Sequence, residues 1–212
     1  MPWLSNTHAV MTHTFVLATH NQHKIEEFDA ILSALVPGIH VVGYDGPEPV
    51  EDGVSFDENA LIKARAAAAH TGLPSLADDS GICVDVLGGA PGIFSARWAG
   101  SAKDNAANVQ LLLDQLADVR DSDRGASFTC HIAVVIPATA DAPAEEFVIA
   151  SNWPGTLARE VRGANGFGYD PIFIPEGHSV SAAELDPAQK NDLSHRARAL
   201  RALAEALATR SS

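Results

Sequence analysis

Lysine is scarce in this chain. Only Lys24, Lys63, Lys103 and Lys190 occur among 212 residues, and Lys24, Lys63 and Lys190 each fall in a stretch that stands out for other reasons. Lys and Arg together number 14 against 27 Asp and Glu, so the formal net charge at pH 7 is −13. Such an excess argues against duplex nucleic acid and anionic membranes as partners. It leaves room for a small polyphosphate if positive charge is focused locally. Cysteine is almost absent. Cys83 and Cys130 lie within apolar, strand-like runs, which reads as buried packing in a reduced, cytoplasmic compartment. No run approaches the roughly 18 apolar residues of a membrane span. No Lys or Arg precedes Lys24, so the charged region of a secretory signal is missing. A P-loop is also missing, because no Gly-x-x-x-x-Gly-Lys-Ser/Thr occurs. The apolar share of 46% and mean hydropathy of +0.03 are those of a soluble globular protein. Residues 1–13 read as a disordered extension, and 14–212 as one α/β domain with at most two lobes.

What is present centres on Leu76 to Gly92. Pro74 to Ala77 reads as the end of an apolar strand and Ile82 to Val86 as another. Asp78, Asp79, Ser80 and Gly81 lie between them, as a turn. Two adjacent carboxylates are expensive to desolvate without positive compensation, and a hard divalent cation with oxygen ligands is the usual one. The same four residues are also ordinary turn formers. The following Gly88-Gly89-Ala90-Pro91-Gly92 favours a site, since glycines let a ligand approach the backbone.

Taken in order, Thr14 to Thr19 reads as a buried strand leading through His20-Asn21-Gln22-His23-Lys24 into a helix from Ile25 to Leu35. A strand–turn–helix unit of this kind presents backbone N–H groups and the positive helix end to an anion; it equally describes a capped helix start. His40 to Gly43 is a second strand. The acidic loop Pro47 to Gly53 carries Glu48, Glu51 and Asp52. Ser55 and Glu58 form a capping box for a helix reaching about His70, and Asn59 and Lys63 share a face of it. Asp104 caps a helix through Leu116. Ser127 to Ile136 and Glu145 to Ser151 read as a hairpin, which predicts a mixed sheet. Gly163 to Asp170 reads as a glycine-rich loop that clasps a flat ligand with Phe167 and Tyr169, or as a tight turn with core aromatics. Lys190, His195 and Arg196 precede a last helix expected over Ala197 to Thr209.

Six motifs then occur together and in order: Leu17-Ala18-Thr19-His20-Asn21-Gln22-His23-Lys24, Phe56-Asp57-Glu58-Asn59-Ala60, Ala77-Asp78-Asp79-Ser80-Gly81, Leu87 to Gly92, Gly166-Phe167-Gly168-Tyr169-Asp170-Pro171, and Ser194-His195-Arg196. Over Thr14 to Leu207 the chain resembles the inosine triphosphate pyrophosphatase (Ham1-like) family of non-canonical purine nucleoside triphosphatases. It departs at His20, where the family more often has glycine.

That resemblance implies an elongated mixed β-sheet flanked by helices, two lobes with an active-site cleft between them, and a homodimer. It implies Mg²⁺-dependent cleavage of ITP, dITP and XTP to the monophosphate and pyrophosphate. Thr19, His20, Asn21, Gln22, His23 and Lys24 would contact the triphosphate. Asp79 would be general base and metal ligand, with Ser80 on substrate and Asp78 supporting the turn. Phe167, Gly168, Tyr169, Asp170, Lys190, His195 and Arg196 would surround base and sugar. Glu51 is the favoured second metal carboxylate, with Glu58 as a further candidate. Two other readings compete. An aspartyl-phosphate phosphohydrolase needs an Asp-x-Asp after the first strand, which is lacking. A non-catalytic purine-nucleotide-binding module would be expected to lack one of the carboxylates.

Overall fold

The computed structural model describes residues 13–140 and 142–210. The extension expected over residues 1–13 lies outside the described residues except for His13, which opens the first strand.

The elements are β1 (His13–Leu17), α1 (Gln22–Leu35), β2 (Ile39–Gly43), α2 (Phe56–Thr71), β3 (Ser75–Val84), α3 (Asn105–Gln115), β4 (Gly125–Ile136), β5 (Glu145–Leu157), β6 (Phe173–Pro175), α4 (Pro187–Leu193) and α5 (His195–Arg210). The strands form one six-stranded sheet in the order β2-β1-β3-β4-β5-β6. β1 pairs in parallel with β2 and β3, while β5 and β6 are antiparallel, so the sheet is mixed, as the sequence predicts.

The chain forms two compact units. One contains the chain up to Asp79, His131–Ala150 and the part from Ala199 onward; the other is Ser80–Cys130 with Ser151–Arg198. In the first unit, Phe15, Leu17, Phe28 and Leu32 are fully buried. Ala60, Ala64 and Ala68 recur along one side of α2 and pack with Ala77, Ala133 and Val135. Side chains this small let a helix backbone lie close to a sheet. Asn21 caps α1 by accepting from Lys24 N. Ser55 caps α2 by accepting from Glu58 N, and left-handed Gly72 ends it.

The second unit has its own core, built on Ile82, Leu112, Leu116, Phe128, Trp153, Ile172 and Phe173. Arg124 is 2% exposed within this unit. Its guanidinium donates to the carbonyls of Leu116, Leu157 and Ala158 at 2.7–2.8 Å. A buried cation is tolerable when its hydrogens are met in this way. Burial nonetheless pulls its pKa down, with Arg159 adding to the effect.

Two expectations fail on detail. The turn expected at Asp78–Gly81 does not exist, because β3 runs unbroken from Ser75 to Val84 through both aspartates. Asp78 therefore supports no turn. The last helix begins at His195 rather than Ala197. Before it, α4 is a separate short helix capped by Asp186 with Pro187 in its first turn.

Candidate active site

β1 ends at Leu17, whose register partner on β3 is Leu76. Asp78 and Asp79 thus lie beyond the end of β1, where the chain turns into α1. Ligands of open α/β sheets gather at this position, outside the carboxyl ends of parallel strands. Successive strand residues face opposite ways, and the two aspartates take different partners. Lys24, in the first turn of α1, donates to Asp78 Oδ1 at 2.7 Å, and the Asp78 side chain is only 4% exposed. Lys63, from the middle of α2, sits 3.0 Å from Glu51 Oε2 and 3.6 Å from Asp79 Oδ1. Ala18, Thr19, Lys24, Tyr44, Glu48, Pro49, Glu51, Lys63 and Asp78 line a pocket of about 200 Å³ within the first unit. That is below the roughly 300–1,000 Å³ of a site enclosing a whole drug-sized ligand. It suits part of one, such as a phosphate chain.

Glu48, Glu51 and Asp78 line the pocket and Asp79 stands beside it against Lys63, so four carboxylates face the two ammonium groups of Lys24 and Lys63. The strain shows in Asp79. Burial pushes its carboxyl above the usual aspartate range; Lys63 and a hydrogen bond from Asn59 pull the other way, and Glu51 and Asp78 add to the rise. Burial also disfavours charge on Lys63, but Asp79, Glu51 and Asp78 outweigh it and hold the ammonium above its ordinary value. Asp79 Oδ2 is buried with no hydrogen-bond partner among the described residues. A buried orphan oxygen and a missing positive charge are what a cation would remedy. Among the described residues no three His, Cys, Asp or Glu side chains converge as a self-sufficient cage. Mg²⁺ does not require one, since it is commonly held by one or two carboxylates plus substrate phosphates. Asp79 and Glu51 fit that role.

Glu58 fits it less well. Its Oε2 accepts from Val54 N at 2.7 Å, one residue before the N-cap of a capping box, while Ser55 Oγ accepts from Glu58 N as predicted, so Glu58 is occupied at the start of α2. Thr19 and Lys24 line the pocket, whereas His20, Asn21, Gln22 and His23 are exposed and do not. Asn21 is occupied as the cap of α1, and Gln22 donates to Glu26. Ser80 Oγ is buried without a hydrogen-bond partner among the described residues.

A second group of expected residues assembles inside the second unit. Asp170 is 3% exposed, and its Oδ2 accepts from Phe167 N at 2.8 Å and from Lys190 Nζ at 2.9 Å. The Lys190 ammonium also lies 5.3 Å from the centre of the Phe167 ring, which is 67% exposed. Gly166 has φ +74, and a Cβ there would stand 2.2 Å from Asp170 Oδ2. Glycine is therefore required twice over, by conformation and by space. Tyr169 points inward instead and donates to Ser95 O at 2.8 Å; burial pushes its phenol up to about 12. The His195 ring stacks on Phe128, 5.0 Å between centres, and Arg196 follows it in the first turn of α5.

Tyr44, Glu48 and Pro49 were missed as pocket residues. The available signal was that they follow β2, whose parallel pairing with β1 brings its exit to the same edge.

Known proteins share this sequence pattern and fold. A family model described as the Ham1 family matches residues 15–206. The dITP/XTP pyrophosphatase of Leifsonia xyli subsp. xyli is 62% identical over 192 residues, covering 91% of this chain and 94% of that protein. The dITP/XTP pyrophosphatase of Nocardia farcinica is 50% identical over 198 residues, with the same coverage. Among solved structures, a HAM1 protein from Coxiella burnetii superposes with a TM-score of 0.84 at 43% identity, covering 93% of this chain and all of that one. No helix among the described residues is long and apolar enough to cross a membrane. With a family model spanning nearly all of its length and such relatives, the chain belongs to the Ham1 family.

Proposed function

We propose that this enzyme, a hydrolase of phosphoric anhydrides, cleaves the non-canonical purine triphosphates ITP, dITP and XTP to the nucleoside monophosphate and pyrophosphate. The observation that carries the reading is Asp79: a part-buried carboxylate with one buried, unpartnered oxygen, a raised pKa and a lysine beside it. The relatives' names supply the substrate class.

The residues divide the work by chemistry. Thr19 and Lys24 in the pocket receive the triphosphate, and Lys63 adds a second positive charge. Asp79 takes a proton from the attacking water, the work of a positioned carboxylate base. Asp79 and Glu51 would hold Mg²⁺, which when bound supplies charge neutralisation at phosphate oxygens. Phe167, Asp170 and Lys190 recognise the purine, the exposed ring by stacking and Lys190 by donating to a 6-keto oxygen. Adenine offers a donor at that position, so a lysine that only donates is left unpaired against it. The family resemblance extends the reading to a homodimer, which sedimentation of the full chain checks; a cytoplasmic location rests on the scarcity of cysteine.

The test is product identification by phosphorus NMR after incubation with ITP and Mg²⁺. IMP and pyrophosphate are expected. Orthophosphate as the first product, or binding without turnover, overturns the reading; the latter outcome would leave a nucleotide-binding module.

A further inference from the structure

His20 does not line the pocket, yet it holds two residues that do. Its ring is stacked almost parallel to Tyr44, with centres 6.0 Å apart and planes 4° from coplanar. Its Nε2 is 3.1 Å from Gly46 O. A carbonyl oxygen only accepts, so Nε2 carries the hydrogen. Its Nδ1 is 3.3 Å from Glu48 Oε1. Tyr44 and Glu48 both face the pocket.

These contacts gain weight from where they fall. The chain from β2 to α2 crosses the pocket edge as an irregular segment carrying Glu48, Pro49 and Glu51. At its far end Asn59 Oδ1 accepts from Gly53 N, and Glu58 accepts from Val54 N. In its middle Glu51 meets Lys63. At its near end Tyr44 OH donates to Pro47 O, which is local; from distant parts of the chain His70 meets the Tyr44 ring edge-on and Asp45 at 3.5 Å, and His20 adds its stack on Tyr44 and its contacts to Gly46 and Glu48. No single tie is strong, because His20 and Glu48 side chains are 50% and 75% exposed. Two ties from one rigid ring, joined by a third to Glu48 whenever both ring nitrogens carry hydrogen, still fix a segment better than one.

We propose that His20 is a positioning residue: it fastens the segment that presents Glu51, and so sets the affinity of the Asp79–Glu51 pair for a divalent cation rather than contacting substrate. Glycine at this position would leave the near end of that segment without the His20 stack and hydrogen bond, and without the Glu48 contact that a doubly protonated ring makes. The inference rests on the metal role given to Glu51 and Asp79 above.

The experiment measures Mn²⁺ binding by electron paramagnetic resonance, without nucleotide, for the unsubstituted protein, His20→Gly, His20→Phe and His20→Gln. Partners that orient metal ligands are typically worth roughly 10–100-fold in affinity. His20→Gly is expected to weaken Mn²⁺ binding about tenfold, near that lower bound. His20→Phe keeps a flat ring but neither polar tie and should also weaken binding. His20→Gln keeps a donor for Gly46 O and should recover part of the loss. ITP affinity in EDTA should stay within about twofold for all three, since no direct contact is removed. Unchanged Mn²⁺ affinity in His20→Gly and His20→Phe overturns the proposal, whether or not nucleotide affinity falls. Absence of any recovery in His20→Gln overturns it as well, and so does failure of the unsubstituted protein to bind Mn²⁺. If the Mn²⁺ pattern holds but ITP is not cleaved, the proposed function fails and the positioning role stands.

Discussion

Asp78 and Asp79 are neighbours on β3, yet each meets a different lysine: Asp78 accepts from Lys24 at 2.7 Å, while Asp79 stands 3.6 Å from a Lys63 that it shares with Glu51. Asp78 has an ammonium group to itself, and Asp79 shares one.

This asymmetry separates the two in function. Asp79→Asn removes the proposed base and should lower kcat on ITP by about 10²–10⁴-fold. Nucleotide binding should change far less, because Thr19, Lys24, Phe167 and Lys190 are untouched. Asp78→Asn should cost less in kcat but lower the melting temperature, since it removes the charge that holds the part-buried Lys24. Steady-state kinetics and thermal melting of both variants check this; an Asp79→Asn enzyme retaining more than about a tenth of kcat contradicts the assignment.

The pH dependence of stability in the metal-free protein has a definite sign. Asp79 has a raised pKa in the folded state, chiefly from burial. The folded protein therefore holds that proton more tightly than the unfolded chain, and the contribution of Asp79 to stability falls as pH rises through the folded value. Asparagine carries no such cost. In EDTA, Asp79→Asn should melt above the unsubstituted protein at pH 7, and the difference should shrink as pH falls through the raised folded value and be gone below the ordinary aspartate value of 3.8. A difference of the opposite sign would mean that Lys63 depends on Asp79 more than Asp79 suffers from burial.

Base selection should depend on Lys190. Lys190→Met removes the donor proposed for the 6-keto oxygen and leaves Asp170 without the ammonium 2.9 Å away. A hydrogen bond to a charged group is worth about 1.5–3 kcal/mol. The preference for ITP over ATP, read as a ratio of kcat/KM values, should fall about ten- to a hundredfold, the equivalent of that energy. An unchanged ratio would move base recognition to other residues.

Gly166→Ala should disturb the same group without touching a charge. Its φ of +74 disfavours any side chain, and the new Cβ would meet Asp170 Oδ2. Strain of this kind costs on the order of 1–3 kcal/mol, so a melting temperature lower by several degrees is expected, together with weaker ITP binding by calorimetry.

Removing divalent cations should abolish turnover, and Mg²⁺ or Mn²⁺ should restore it. Undiminished ITP cleavage after exhaustive EDTA treatment would exclude the metal reading of Asp79 and Glu51.

Local signals in this sequence were read well because their causes are local. Asn21, Ser55 and Asp104 each accept from N–H groups two or three residues ahead, and such contacts are written in adjacent residues. The mixed sheet followed from two long apolar strands in succession. The Asp78–Gly81 turn failed because the residues that make a continuous strand tolerable are remote: Lys24 is 54 positions from Asp78, and Lys63 arrives from another helix. Two adjacent aspartates look like a turn until those cations are placed. Lys190 and Asp170 were named together, but their direct contact was invisible, since it depends on how α4 packs beside the 163–170 loop. The grip of His20 on Tyr44, Gly46 and Glu48 had no sequence signal beyond an unusual residue at that position.

Arg124 gives the second unit a fastening of another kind. Its three partners are carbonyl oxygens of Leu116, Leu157 and Ala158, and amide carbonyls gain no proton in mild acid. The ion pairs of the first unit, Lys24 with Asp78 and Lys63 with Glu51 and Asp79, all depend on carboxylates that do. In enough acid Lys24 and Lys63 therefore lose their charged partners, while the joint between the end of α3, the start of β4 and the end of β5 keeps its own: a bracket that protons cannot open.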